Sequence, residues 1–488
     1  MKIYNAFVAF CCVTVFAAFV ASQSQEHPGL KVSVSTSGLN FLKDLVVKAL
    51  DDELQNVNLP TQQGSKGVSY KIENIVANKI RLGKTSVRTL TPNVFQVKAN
   101  NAGLEVNADW EVWKRIKILF LPAFTVRGSG SIRARTSGVN IEQNIIVERT
   151  ANGKPKFTVS GCSIRIGRFS THVDVDNLPS QIDSVLNLLI DPFEGLIKRE
   201  LEKRVCGLVR PGLQSLGDKL TRNFELNFPF VFDTKIDLGL ACDPSSTGHS
   251  GLVCLNGKSY PEDRPDVVFP FPAPVLSEVS DSSHMVRISI SPYAPNTLLH
   301  SLYLQNRFKK TFSPKDVASV FGVSLPVGAI ARLLKPVLGS NPPPIALYAK
   351  LVQFTVEANH SPMTHFTPEG IEVSGNFKIT ISAIVNGQPQ KLADFSINVM
   401  ALVGVSVENG KIKASIKSLG ADASSSGGLP VHLINPLLNK FLPQLILPAV
   451  NGITEAGFKI PTLYGLKFIN PVVETKLDAL EVASDFMV

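Results

Sequence analysis

Tyr260-Pro-Glu-Asp-Arg-Pro-Asp-Val-Val-Phe-Pro-Phe-Pro-Ala-Pro-Val-Leu-Ser277 carries five prolines. A backbone so short of N–H donors does not run inside a helix or a sheet. The stretch therefore predicts an extended connector between two folded units. The two flanks share one grammar. On the N-terminal side apolar residues alternate at Val32 and Val34, at Val68, Tyr70 and Ile72, and at Phe157, Val159, Ile164 and Ile166. On the C-terminal side they alternate at Val286, Ile288 and Ile290, at Val352, Phe354 and Val356, at Val403, Val405 and Val407, and at Ile412, Ala414 and Ile416. A period of two is the mark of a half-buried strand. Asn152-Gly153, Asn386-Gly387 and Asn409-Gly410 stand between such runs, and Asn-Gly supplies the positive φ angles of a tight hairpin. Both sheets are expected to be antiparallel.

Helical spacing interrupts the strands. It runs first through Leu39, Leu42, Val46 and Ala49, then through Ile182, Val185, Leu186, Leu189, Ile190, Phe193, Leu196, Ile197 and Leu201. Ser180 and Asp183 suit an N-terminal cap of the longer helix, and Pro192 should kink it. A matching apolar segment, Val431 to Phe458, closes the chain's second half. The expectation is an α+β protein of two similar barrels, each a bent antiparallel sheet wrapped on long amphipathic helices. The boundaries read as a signal peptide at 1–24, an N-terminal barrel at 25–240, a disulfide loop and proline-rich linker at 241–285, and a C-terminal barrel at 286–488.

Composition supports a folded chain: of 488 residues, 44% are apolar and 18% charged, which excludes a disordered or collagen-like polymer. Lys2 precedes an uncharged run from Ala6 to Ala21 that ends in small residues, the pattern of a secretory signal. Cysteine usage agrees with an extracellular destination. Cys11 and Cys12 leave with the signal, and the spacing of the other four favours Cys242 with Cys254, leaving Cys162 to meet Cys206. Asn359-His360-Ser361 is a glycosylation sequon, followed directly by Pro362.

Charge is concentrated. Residues 66–135 hold thirteen Lys or Arg against four Asp or Glu, an excess equal to the +9 of the whole chain. Within that region Trp110-Glu-Val-Trp113-Lys114-Arg115-Ile-Lys117 sets both tryptophans beside three cations, and Lys79, Arg81 and Lys84 are expected at the same cationic end. Rings beside cations suit the boundary between phosphate headgroups and hydrocarbon. The alternative is a pair of core tryptophans beside a solvated basic face. No nucleophile elbow, Walker loop, dinucleotide fingerprint or paired-ligand spacing is present; Gly248-His249-Ser250-Gly251 reads as a surface turn, and His360 and His365 as loop residues. Nucleic acid is disfavoured by secretion and by the lack of a groove-reading motif.

Magnitudes rank the forces on an anionic amphiphile. Cations near an anionic surface contribute about 1 kcal/mol each. A buried acyl chain contributes about 0.8 kcal/mol per methylene, so ten methylenes outweigh six cations. Charge would steer, and an apolar pocket would hold. Leu39, Leu42, Val46, Leu186, Leu189, Ile190, Phe193 and Ile197 are the candidate pocket residues.

The run Gly29 to Leu39, the segment Trp110 to Lys117, Asn152-Gly153-Lys154-Pro155 followed by Cys162, the partner Cys206, and Phe-Leu-Pro-Gln-Leu-Ile-Leu-Pro at 441–448 resemble the family of bactericidal permeability-increasing protein and lipopolysaccharide-binding protein. That family also includes phospholipid-transfer and cholesteryl-ester-transfer proteins. The resemblance implies a boomerang of two barrels around a central sheet, a lipid pocket in each barrel, a Cys162–Cys206 bond, and a basic barrel tip at Lys114, Arg115 and Lys117. It also implies a secreted, non-enzymatic protein with bound phospholipid in place of a cofactor. Its partners would be lipopolysaccharide or phospholipid on a bacterial or lipid-particle surface. A lipid-transfer carrier and, from another class, a lipid-ester hydrolase are the competing readings. Asp109 and Glu111 at the tip, and Asp174, Asp176 and Asp183 after Cys162, depart from the bactericidal pattern.

Overall fold

The computed structural model describes residues 28–41, 43–44, 57–58, 60–65, 69–81, 83–90, 93–117, 122–177, scattered positions between 198 and 222, and residues 224–230, 232–246, 250–276, 283–313, 352–385, 388–408, 411–426, 458–459 and 467–487. The signal-peptide expectation lies outside these residues, as do the helical faces from Ile182 to Ile197 and from Val431 to 457.

The chain opens with β1 (Leu30–Ser35). The N-terminal sheet follows, built from β2 (Val57–Asn58), β3 (Gln62–Ser65), β4 (Ser69–Arg81), β5 (Lys84–Leu90), β6 (Val94–Ile116), β7 (Phe124–Arg149), β8 (Pro155–Arg165) and β9 (Arg168–Asn177). Next come β10 (Asn227–Pro229), β11 (Thr234–Asp237), β12 (Ser245–Ser246), β13 (Ser250–Leu255) and β14 (Lys258–Pro261). After the proline-rich stretch lie β15 (Val286–Ile290) and helix α1 (Tyr293–Leu304). The C-terminal sheet contains β16 (Lys309–Phe312), β17 (Val352–Ala358), β18 (Met363–Thr367), β19 (Gly370–Val385), β20 (Gln388–Glu408), β21 (Lys411–Ser426) and β22 (Phe458–Lys459). β23 (Lys467–Lys476) and β24 (Ala479–Met487) close the chain.

All the strand pairs among the described residues are antiparallel. A six-stranded sheet ordered β12-β13-β1-β15-β24-β23 joins the halves. In it Val32 of β1 stands opposite Val253 of β13 on one side and Ile288 of β15 on the other. The alternation of Val32, Val34, Val286 and Ile288 therefore serves a shared sheet. Its apolar face packs Val32, Val34 and Val253 with Phe95, Val147, Phe157 and Phe486. A second core lines the inner face of the N-terminal sheet, where even-numbered residues of β6 from Leu104 to Val112 are buried.

Turns follow the sequence chemistry where they are described. Gly153 adopts φ +77° between β7 and β8, and the Thr150 N–H donates to the Lys154 carbonyl across the turn. The turns at 386–387 and 409–410 lie outside the described residues, but the pairs Val385↔Gln388 and Glu408↔Lys411 close on them.

Three expectations need correction. Tyr260 and Pro261 belong to β14, paired with Lys235 and Thr234, so the connector begins after Pro261. Proline is tolerated there because it occupies the last strand position. Phe458, expected to end a helical segment, sits in β22 opposite Ile412. His365 lies in β18 opposite Glu372 instead of in a loop.

Helix α1 is an addition that apolar spacing does not reveal, because its buried face is largely polar: Asn296, Thr297, Ser301 and Leu302. Its polar groups are matched. The Ser259 N–H donates to Thr297 Oγ1 at 2.9 Å, Ser301 Oγ donates to the Ser259 carbonyl at 2.9 Å, and the Thr364 N–H donates to Asn296 Oδ1 at 2.6 Å. Pro295 stands in the first turn, where a missing N–H costs nothing.

Two disulfides are formed, Cys162–Cys206 and Cys242–Cys254, with Cα atoms 5.7 and 5.3 Å apart. Loop-closure arithmetic assigns them about 4 and 3 kcal/mol respectively.

Candidate functional site: the basic end of the β6–β7 hairpin

The longest hairpin in the N-terminal sheet is β6–β7, and its register brings Lys114 opposite Val126, Arg115 opposite Thr125 and Ile116 opposite Phe124. Successive side chains on a strand point to opposite faces. Lys114 continues the inner series Leu104, Val106, Ala108, Trp110 and Val112, and Arg115 continues the outer series through Glu111 and Trp113. The cations thus girdle the hairpin end and do not form a patch on one face. Lys114, Arg115 and Lys117 are exposed, and none of them forms an ion pair among the described residues.

The nearby acids are already engaged. Glu111 accepts from Arg127 Nη1 at 3.2 Å, and Asp109 accepts from Asn74 Nδ2 at 2.8 Å. Lys71 pairs with Glu73, whose hydrogen bond and charge hold the ammonium above its ordinary pKa. Asp174 pairs with His172 at 3.2 Å on β9. The acids that dilute the basic segment in sequence are therefore occupied by other partners in space.

The two tryptophans take different places. Trp110 is 3% exposed, part of the inner-face core with Ile72, Ala108 and Ile132. Its indole N–H donates to the Asp174 carbonyl at 3.3 Å. Expected at a lipid boundary, Trp110 is instead a core residue, because it falls on the apolar parity of β6. Trp113 has the opposite parity and is half-buried, opposite Ser69 and Arg127.

Lys79, Arg81 and Lys84 do not join this end, contrary to expectation. β4 runs antiparallel to β6, so Lys79 stands opposite Glu105 and Arg81 opposite Gly103, while Lys84 of β5 stands opposite Asn100. Glu105 is nine positions before Lys114, which is about 30 Å at 3.3 Å per strand residue. Closeness in sequence becomes separation along a long strand.

The hairpin end also holds a residue that a search for cations and tryptophans passes over. Phe124, 47% exposed, opens β7 directly across from Ile116. The sequence between Lys117 and Phe124 is Ile-Leu-Phe-Leu-Pro-Ala, apolar where a surface hairpin is usually polar. That contrast is the signal the sequence offers.

Of the candidate pocket residues, Leu39 is described, and it packs within the protein's own core beside Val34 and Phe486. Leu42, Val46, Leu186, Leu189, Ile190, Phe193 and Ile197 lie outside the described residues. Asn359 is exposed at the end of β17, its carboxamide donating to Asn376 Oδ1 and to Ser396 Oγ. Among the described residues no group of His, Cys, Asp and Glu is arranged to hold a metal ion, and no helix is long and apolar enough to cross a membrane.

Comparison with known proteins agrees with this architecture. Lipopolysaccharide-binding protein of Bos taurus is 24% identical over 480 residues, covering 95% of this chain and 94% of that protein. Bactericidal permeability-increasing protein of Rattus norvegicus is 21% identical over 472 residues, covering 94% and 93%. The crystal structure of lipopolysaccharide binding protein superposes with a TM-score of 0.59 at 19% identity, covering 94% of this chain and 99% of that one, which supports the two-barrel boomerang fold. The family's members are lipid-binding or lipid-transfer proteins and not enzymes. Residues 38–216 match the N-terminal domain and residues 232–488 the C-terminal domain of the LBP / BPI / CETP family, and the chain belongs to that family.

Proposed function

We propose that this is a secreted protein that binds bacterial lipopolysaccharide or related anionic phospholipids, in innate antibacterial defence. The observation that carries the reading is the hairpin end itself. Three cations without carboxylate partners among the described residues ring a strand whose inner face is apolar, with Phe124 exposed beside them. Such an end suits a ligand with an anionic head and hydrocarbon tails. Lys114, Arg115 and Lys117 would meet the phosphates, and Phe124 would sit at the boundary with hydrocarbon. The three cations contribute about 3 kcal/mol together. Lasting capture therefore depends on tail burial at about 0.8 kcal/mol per methylene. Family membership and the names of the related proteins support the lipid class.

The test is binding of the full chain to lipopolysaccharide and to phosphatidylglycerol vesicles, against phosphatidylcholine vesicles, combined with mass analysis of lipids extracted from the purified protein. Preferential binding to the anionic surfaces with co-purified lipid supports the reading. Equal binding to phosphatidylcholine, with lipid moved between vesicles, would replace it with a general carrier. Loss of ester from the incubated lipid would replace it with a hydrolase.

A further inference from the structure

The proline-rich stretch is fastened at defined points and does not hang free. Lys31 of β1 donates to the Leu276 carbonyl at 3.2 Å, and the Leu276 side chain is buried. Between Pro261 and Leu276 the backbone forms no strand or helix. It is held over α1 by two rings. Phe269 and Phe271 each meet Tyr293 edge-on, at 6.1 and 6.0 Å between centroids. The same two rings meet the imidazole of His300 edge-on, at 5.7 and 6.2 Å. Tyr303 flanks that imidazole at 6.2 Å.

His300 Nδ1 is buried, with no hydrogen-bond partner among the described residues. Burial pulls the imidazole below its ordinary pKa, and it is the sole cause of the shift. Among the described residues, the other titratable groups on α1 and on the strands packed against it are Tyr293 and Tyr303 on the helix, Lys258 and Tyr260 on β14, Lys235 and Asp237 on β11, and His365 on β18, with Asp233 and Arg307 at the helix's C-terminal end. The strap's own charges, Glu262, Asp263, Arg264 and Asp266, are exposed before Phe269, and the two rings on His300 carry none.

We propose that His300 is an acid-released latch for the strap that joins the two halves of the protein. The neutral ring packs between Phe269 and Phe271. A protonated ring carries a charge and a second N–H, and the buried Nδ1 has no acceptor among the described residues. At pH well above about 6.5, the value of a free imidazole, both the closed and the released forms are neutral, so the grip is independent of pH. As pH falls below that value the released form gains a proton that the closed form takes up less readily, and the grip weakens. At pH 5.5 the limit of this weakening is about tenfold.

The experiment is limited thermolysin digestion of the full chain and of His300→Phe, comparing at each pH the rate of cutting between Val267 and Val268. Taking the ratio of the two proteins at one pH cancels the protease's own pH dependence. The wild-type rate relative to the variant is expected to rise by up to tenfold between pH 7.5 and 5.5. A ratio that does not change with pH overturns the latch. Direct titration of the His300 ring resonance in the wild-type protein tests the same idea without relying on the variant: a midpoint below 6.5 supports it, and one at or above 6.5 overturns it. Neither readout involves lipid, so the latch and the lipid-binding reading stand or fall separately.

Discussion

Arg287 Nη1 lies 2.6 Å from Glu481 Oε2, and both side chains are more than nine-tenths buried in the central sheet. Arg287 is on β15 and Glu481 on β24, 194 positions apart, and Lys476 of β23 reaches the same carboxylate oxygen at 2.7 Å. A buried ion pair is costly to break, because one charge is left without its partner. Glu481→Ala is expected to cost about 3 to 5 kcal/mol, whereas Arg287→Met with Glu481→Leu should cost far less or nothing. Urea denaturation of the three proteins distinguishes these outcomes, and equal losses for the single and double variants would contradict the argument.

Trp110 is assigned to the core, and its neighbourhood is tight. A Cβ added at Gly130 would stand 2.0 Å from the Asp174 carbonyl oxygen and 2.9 Å from the indole. Gly130→Ala should therefore destabilise by at least about 1 to 3 kcal/mol through overpacking. Trp110→Ala should cost about 3 to 5 kcal/mol through the cavity it leaves. Thermal unfolding measures both; an unchanged midpoint for Trp110→Ala would return that residue to the surface.

Charge neutralisation should separate the two basic clusters. At about 1 kcal/mol per cation, neutralising Lys114, Arg115 and Lys117 together should weaken binding to phosphatidylglycerol vesicles by about 100-fold at low salt. Neutralising Lys79, Arg81 and Lys84, displaced along β4 and β5, should change it by less than a few-fold. Vesicle sedimentation at low and high salt reads the difference. Equal effects would mean that the lipid surface spans both clusters.

Phe232 and Asp233 both have positive φ, 53° and 57°, in the turn between β10 and β11. Arg307 holds this turn, with Nη2 2.7 Å from Asp233 Oδ2 and its guanidinium 6.0 Å from the Phe232 ring centre. A bulky residue in the left-handed region costs about 1 to 2 kcal/mol. Phe232→Gly should relieve that cost and raise stability by about 1 kcal/mol, offset in part by removal of the ring that attracts the Arg307 guanidinium. Chemical denaturation with an unchanged slope tests the sign.

Strand content is legible in the sequence because a half-buried strand must alternate, and Val32, Val34, Val286 and Ile288 do so. Legible too is the Cys242–Cys254 bond, since a twelve-residue separation leaves little choice of partner. The site is only partly legible. Residue type picks out Lys114, Arg115 and Lys117 but passes over Phe124. Helix α1 is hidden because its buried face is made of Asn296, Thr297 and Ser301, which carry no apolar period.

Alternation and spacing depend on one stretch of backbone at a time, so the amino-acid order alone established an antiparallel, two-part, disulfide-bonded chain with one basic region. Which cations share an end was decided only by strand register, a relationship between distant segments. That register carries Lys79 about 30 Å from Lys114 and turns Trp110 inward. A central sheet was implied by the family resemblance, but which strands build it was a tertiary outcome: Val32 meets Ile288 because two apolar strands, each able to bury only one face by itself, exclude water best together.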